Sequence, residues 1–212
     1  SAVMAHVRMR STDYGLDYSL NDYSANGVFP YINKVVHDVN DIDTPESFNA
    51  IGIDTVKGPA RFVDSHRIKV QQTVYSSKNY IIATGSSPDI LGIDGEDGEL
   101  CLNVETLFKL DKLPDSIVII GGGPAGVELG LALRLLGLEV TILEAADSIL
   151  IREDGEVVSY LSEYLQKLGI KILTRCKVLK IDSNKGEASV TVDQPDIGRG
   201  VVNGDAVLLT VG

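Results

Sequence analysis

The sequence predicts an α/β fold built on a parallel sheet, and three observations carry that prediction. Residues 117–120 form a short apolar run that enters Gly121-x-Gly123-x-x-Gly126, followed by a helical stretch and a second apolar run closing on Glu144. Val118-Ile119-Ile120 is β-branched and continuously apolar, as expected of a strand buried on both faces between crossover helices. On either side, over 54–75 and 178–205, the apolar period drops to two, which reads as antiparallel meander.

The order strand, glycine turn, helix, strand makes the motif a Rossmann-like dinucleotide-binding unit rather than a generic tight turn. Gly121 permits the turn, Gly123 lets backbone approach a pyrophosphate with no Cβ in the way, and Gly126 lets the helix pack close to the strand. The helix over 125–136 presents its N-terminus to the phosphates, where unpaired N–H groups and the macrodipole favour negative charge. Gly130 extends the close packing. Glu144 lies 23 residues past Gly121. A carboxylate there accepts hydrogen bonds from the adenosine ribose and repels a 2′-phosphate. Ala145, Ala146 and Asp147 follow, with no arginine to receive that phosphate, so NAD is expected over NADP.

Composition narrows the function classes. The 212 residues suit one large or two small domains, and 44% hydrophobic content with 21 glycines fits an α/β protein with many tight connections. A net charge of −11 argues against binding nucleic acid, which needs clustered Lys and Arg. No apolar run approaches the ~20 residues that span a bilayer, and no secretory signal is read, so a cytoplasmic protein off the membrane is expected. The two cysteines, Cys101 and Cys176, lack C-x-x-C spacing and read as reduced thiols. No metal site is spelled, and His6, His37 and His66 read as isolated surface residues.

Taken in order, 1–10 is helix-like and 11–29 is loop. Residues 30–40 follow helical spacing through Tyr31, Lys34, Val35 and Asp38. Thr44-Pro45-Glu46 starts a short helix that stops at Gly52. Short strands are expected at 54–57, 60–64, 67–71 and 73–75, then a buried apolar strand over 79–84. The stretch 89–114 reads as an interdomain connection with a short helix near 105–109. After Glu144, a helix over 155–168 presents Val157, Tyr160, Leu161, Tyr164, Leu165 and Leu168 on one face and ends at Gly169. A third parallel strand at 170–174, a second meander at 178–182, 187–192 and 200–205, and an apolar strand at 206–211 complete the chain. The runs ending Ala83-Thr84-Gly85 and Thr210-Val211-Gly212 echo one another, each an apolar strand after a meander.

The chain resembles the flavin-dependent pyridine nucleotide-disulfide oxidoreductases, in their dihydrolipoamide dehydrogenase and mercuric reductase branch. The resemblance rests on Lys57-Gly58-Pro59-Ala60-Arg61-Phe62, Ile82-Ala83-Thr84-Gly85-Ser86, the Gly121 to Glu128 turn with Glu144, Arg152-Glu153-Asp154, and the strand running to Gly212. It implies a Rossmann-like NAD-binding domain, parallel sheet plus antiparallel meander, inserted into a partial FAD-binding domain. Residues 1–88 would be the FAD-binding part, 89–114 the connection and 115–212 the NAD-binding domain. Ala60, Thr84, Gly85 and Ser86 would lie by FAD. Gly121, Gly122, Gly123, Pro124, Ala125, Gly126, Val127 and Glu128 would wrap the NAD pyrophosphate, with Glu128 directed to the nicotinamide carboxamide. Val178 would touch the adenine side and Gly212 the nicotinamide end. The redox cysteines and the catalytic His and Glu are expected outside the fragment, which lacks both ends of the family's chain and is expected to be inactive alone.

What the resemblance implies for the full-length protein is a homodimer passing hydride from NADH to FAD and on to a disulfide serving a small-molecule substrate. The alternatives are an NADH oxidase or ferredoxin reductase type with a non-disulfide acceptor, and a non-catalytic NAD-binding module.

Overall fold

A computed structural model of the chain describes residues 27–87, 92–184, 186–195 and 197–211. The expectations for 1–26, His6 and Gly212 lie outside the described residues. The chain divides into two compact units, one being Tyr31–Ser86 and the other containing Ser87–Gly212.

The smaller unit carries most of helix α1 (Val28–Ile42), which starts inside the stretch read as loop, and α2 (Pro45–Ala50). Thr44 caps α2 as its sequence promised, its Oγ1 accepting from the Ser47 N–H at 3.2 Å. Three antiparallel strands follow in the order β1 (Ala60–Asp64), β2 (Arg67–Val70), β3 (Thr73–Ser76). At the first hairpin Arg67 Nε donates to Asp64 Oδ2 at 2.7 Å, and that bond holds the Asp64 carboxyl below its ordinary range.

Two expected strands do not form. Residues 54–57 have no ladder, because Gly58 at φ +155° and Pro59, which has no N–H, break the chain's course before β1. Residues 79–84 are not a buried strand either: Ile81 and Ile82 stand 94% and 73% exposed. Apolar sequence alone does not make a strand. Its N–H and C=O groups need a neighbouring ladder, and none of the described strands pairs with this stretch.

In the larger unit, β5 (Ser116–Ile120), α4 (Pro124–Leu135), β6 (Glu139–Leu143), α5 (Gly155–Lys167) and β7 (Lys171–Leu173) follow the predicted strand–helix alternation. They come after β4 (Cys101–Leu102) and α3 (Val104–Leu107) and before the meander β8 (Lys177–Asn184), β9 (Glu187–Gln194) and β10 (Gly198–Gly204) and the strand β11 (Ala206–Leu209). The main sheet has five strands in the order β4-β11-β5-β6-β7, all parallel. Thus the stretch read as a connection supplies an edge strand, Cys101 and Leu102 pairing with Val207 and Leu208. Two residues are too few to show a period, and their pairing reaches across the chain. Asn103 then closes a capping box with Thr106 at the start of α3.

The apolar run of β5 is explained by what covers each face. Ile117 and Ile119 pack into a cluster with Leu133 of α4, Ile142 of β6 and Leu165 of α5. Val118 and Ile120 point the other way, into a cluster with Ile181, Val190 and Val192 of the meander and Val207 of β11. Each such side chain fully removed from water contributes about 1.5–3 kcal/mol. Gly130 lets α4 approach the sheet, since a Cβ there would lie 3.2 Å from the Cδ1 atoms of Ile119 and Ile142. At the start of β5, the Ser116 N–H and Oγ donate to Asp205 Oδ2, both at 2.8 Å, which sets β5 and β11 side by side.

Helix α5 buries only part of the expected face, together with Val158 beside it. Val158 and Leu165 are buried and Leu161 packs beside them, whereas Val157, Tyr160 and Tyr164 are exposed. The predicted stripe joined two neighbouring rows of the helix, and the sheet covers only the row 158–161–165.

Candidate dinucleotide site

The turn after β5 can be followed bond by bond. Gly121 sits at φ +111°, where a side chain is strained, and its N–H donates to the Leu143 carbonyl at 2.9 Å. Its carbonyl accepts from Thr210 Oγ1 at 3.0 Å. The Gly122 N–H donates to Glu144 Oε2 at 2.6 Å, and the Gly122 carbonyl accepts from the Leu150 N–H at 2.8 Å. Leu150 itself holds φ +50°. That conformation costs a residue with a Cβ about 1–2 kcal/mol, supplied by the surrounding structure. The Gly123 carbonyl opens α4 by accepting from Val127 at 3.0 Å.

The three motif glycines play separate parts. A Cβ on Gly126 would lie 2.0 Å from the Gly121 carbonyl oxygen and 2.8 Å from Thr210 Oγ1, so this glycine is required by the fold. A Cβ on Gly123 would meet nothing within 4 Å, and its φ of −72° suits any residue. That position therefore has no packing need for glycine, and the open space beside it is what a ligand backbone requires. No side chain caps the start of α4, where Pro124 has no N–H to satisfy and Ala125 and Gly126 present theirs without intrahelical acceptors. Pro124 and Ala125 are exposed, Val127 is buried, and Glu128 is exposed one turn along α4. These residues fit a pyrophosphate at a helix N-terminus.

Glu144, expected as a ribose acceptor, braces the turn itself. Besides taking the Gly122 N–H, its other oxygen accepts from the Ala146 N–H at 2.8 Å. An ionised carboxylate has about four lone-pair sites, so two stay open beyond these bonds. Sequence reasoning missed this bracing role, although a carboxylate at the mouth of a glycine turn was the available signal. A cleft of about 230 Å3 opens beside it, lined by Gly121, Leu143, Glu144, Cys176, Val178 and Val211, among others. The expected residues Gly121, Glu144 and Val178 therefore share one cleft, and Lys177 also lines it. Cys176 is 1% exposed, and burial pushes its thiol pKa up, so it stays protonated near neutrality. Cys101 and Cys176 are both free.

Ala60, Thr84, Gly85 and Ser86 belong to the smaller unit and are all exposed, with Gly85 at φ +71°. That unit carries a wide hollow of about 720 Å3 lined by Asp64, His66, Arg67, Ser77 and Lys78, among others. Its walls are exposed residues at strand ends and turns, so it lacks the enclosure of a ligand site. Among the described residues no helix is long and apolar enough to cross a membrane, and no three His, Cys, Asp or Glu gather as a metal site.

Comparison with known proteins places this geometry. Residues 19–212 match the family described as pyridine nucleotide-disulphide oxidoreductase. The dihydrolipoyl dehydrogenase of Bacillus subtilis is 36% identical over 165 residues, covering 76% of this chain and 35% of that protein. The mercuric reductase of Lysinibacillus sphaericus is 26% identical over 207 residues, covering 98% of this chain and 38% of that protein. The chain thus spans little more than a third of the length of these curated relatives. Among solved structures, LpdA from Mycobacterium tuberculosis superposes with a TM-score of 0.78 at 25% identity, covering 100% of this chain and 46% of that one. The Cu(II) complex of the flavoprotein disulfide reductase RclA from Escherichia coli gives a TM-score of 0.71 at 26% identity, covering 87% and 41%. With the glycine turn, the parallel sheet and these matches in agreement, the chain belongs to the pyridine nucleotide-disulphide oxidoreductase family.

Proposed function

We propose that this chain is part of an FAD-dependent NADH:disulfide oxidoreductase of the dihydrolipoamide dehydrogenase kind. The observation that carries the reading is the Gly121–Gly126 turn, tied down on every side yet open at Gly123. Names of relatives such as dihydrolipoyl dehydrogenase and mercuric reductase support it. In this reading residues 1–88 contribute to the FAD-binding domain, 89–114 connect, and 115–212 bind the pyridine nucleotide. Bound together, the two cofactors supply hydride transfer from nicotinamide to flavin and electrons onward to a disulfide.

The chain's own residues bind and orient. Gly123, Ala125 and Gly126 offer backbone N–H groups to the pyrophosphate, and Glu144 offers its remaining lone pairs to the adenosine ribose. Val178 and Leu143 give the adenine side apolar walls. Glu128, exposed on α4, is assigned to the carboxamide, and Gly212 to the nicotinamide end. Ala60, Thr84, Gly85 and Ser86 are assigned to FAD. NAD is favoured over NADP because the Glu144 carboxylate would face a 2′-phosphate and Ala145-Ala146-Asp147 adds no cation. Lys177 lines the same cleft, so the NADH to NADPH affinity ratio reports which charge governs.

Neither cysteine of this chain is assigned to the redox disulfide: Cys176 is buried under the sheet and Cys101 sits in the edge strand. We assign the full-length protein to the cytoplasm as a homodimer acting on a small-molecule substrate. The test is anaerobic addition of NADH to the full-length protein with its flavin absorption monitored. Bleaching of the flavin band is expected; a protein that binds neither flavin nor NADH would overturn the reading.

A further inference from the structure

We propose that Thr210 is a positioning residue of the dinucleotide site, its hydroxyl orienting the glycine turn from the side opposite Glu144. The inference rests on the reading of this turn as a pyridine-nucleotide site and adds a residue to it. Thr210 follows β11, and its N–H already donates to the Ile120 carbonyl at 3.0 Å. Its Oγ1 lies 3.0 Å from the Ile120 carbonyl oxygen and 3.0 Å from that of Gly121. A hydroxyl has one proton to give. Because the backbone N–H serves Ile120, the hydroxyl is the donor that matters for Gly121.

The Gly121 carbonyl is hard to satisfy otherwise. Gly121 is buried, and the backbone of Gly126 closes over its oxygen so tightly that a Cβ there would come within 2.0 Å. The hydroxyl fills the space that side chains would need at both glycines, 2.9 Å from a Cβ built on Gly121 and 2.8 Å from one on Gly126. These two glycines are therefore required partly to admit Thr210.

Peptide planarity turns this contact into control of the site. The Gly121 carbonyl and the Gly122 N–H belong to one rigid plane. Thr210 holds the carbonyl edge of that plane, and Glu144 holds its N–H edge at 2.6 Å. The next plane joins the Gly122 carbonyl, held by the Leu150 N–H, to the N–H of Gly123. Releasing Thr210 lets the first plane rotate, which unseats Glu144 and then the aim of the Gly123 N–H toward a phosphate.

The test uses three variants of the full-length protein, with NADH dissociation constants from calorimetry and unfolding midpoints in urea. Thr210→Val keeps the shape and removes the proton; Thr210→Ser keeps the proton. Arg134→Ala removes bonds at the far end of α4, from Nε to the Leu168 carbonyl at 2.7 Å and from Nη1 to the Leu138 carbonyl at 3.0 Å, and so destabilises without touching the turn. The expected result is NADH affinity weakened about tenfold in Thr210→Val, the equivalent of one buried hydrogen bond, within about twofold of wild type in Thr210→Ser, and unchanged in Arg134→Ala. Wild-type affinity in Thr210→Val overturns the role of Thr210 alone. Equal weakening in Arg134→Ala overturns it too, because the effect then follows stability. A wild-type protein that binds no NADH overturns both this inference and the function on which it rests.

Discussion

Alanine at Gly126 and alanine at Gly123 are three residues apart in sequence and should have opposite consequences. At Gly126 the new methyl would sit 2.0 Å from the Gly121 carbonyl oxygen, more than 1 Å inside a C···O contact of roughly 3.3 Å. The obstacle is backbone held by β5 and Thr210, so the helix must move. Helix propensity favours alanine by about 0.8–1 kcal/mol. Overpacking that displaces backbone costs about 1–3 kcal/mol and occasionally more, so the clash wins and the protein loses on the order of 1–2 kcal/mol. At Gly123 the methyl meets nothing, and φ is −72°. Weaker N-capping costs about 0.5–1 kcal/mol, reduced freedom of the unfolded chain returns about 0.4–1 kcal/mol, and the net change is about zero. In the proposed site that methyl nevertheless stands on the pyrophosphate's path, and NADH affinity should fall about tenfold, roughly 1.4 kcal/mol. Urea midpoints and NADH calorimetry on both variants separate the two effects. The reasoning fails if Gly123→Ala lowers the midpoint as much as Gly126→Ala, or if it binds NADH like wild type.

Glu144→Ala strips the acceptor from the Gly122 and Ala146 N–H groups; with hydrogen bonds to charged groups worth about 1.5–3 kcal/mol each, a stability loss of about 2 kcal/mol is expected after water replaces part of them. The same variant should bring NADPH affinity up toward that of NADH in paired titrations. Arg134→Ala should cost about 1.5–3 kcal/mol in urea unfolding, and Arg134→Lys should restore little, because one ammonium does not span the Leu138 and Leu168 carbonyls. Burial raises the thiol pKa of Cys176 and of Cys101 in the folded protein. Their neutral forms therefore support the fold fully below the unfolded thiol pKa, near 8.5, and that support is lost as pH climbs through the raised folded values. Unfolding midpoints should decline from pH 8 to pH 10, and Cys176→Ala should flatten the decline; an unchanged slope would refute a buried, protonated Cys176.

Much of the larger unit was legible because its signals are local. The β5 run, the glycine turn and the helix of α4 each follow from neighbouring residues, and Gly169 at positive φ ends α5 where the sequence placed its stop. What failed was judged on apolarity without a partner in view. Ile81 and Ile82, and Val157, Tyr160 and Tyr164, carry the composition of buried elements, yet all five stand exposed. The edge strand at Cys101 and Leu102 failed in the other direction, since its identity lies in a pairing with residues more than a hundred positions away.

By itself the sequence determined the dinucleotide turn, the strand–helix–strand around it and the carboxylate of Glu144. Those are matters of spacing, backbone freedom and β-branching, which act within a few residues. Only the tertiary structure decided how the turn is held. Thr210 reaches the Gly121 carbonyl from 89 positions away, and Glu144 spends two lone pairs on backbone N–H groups. Leu150 accepts a strained φ beside the Gly122 carbonyl. Which polar group meets which is settled by the sheet bringing the ends of β5, β6 and β11 together, and no local pattern encodes that meeting.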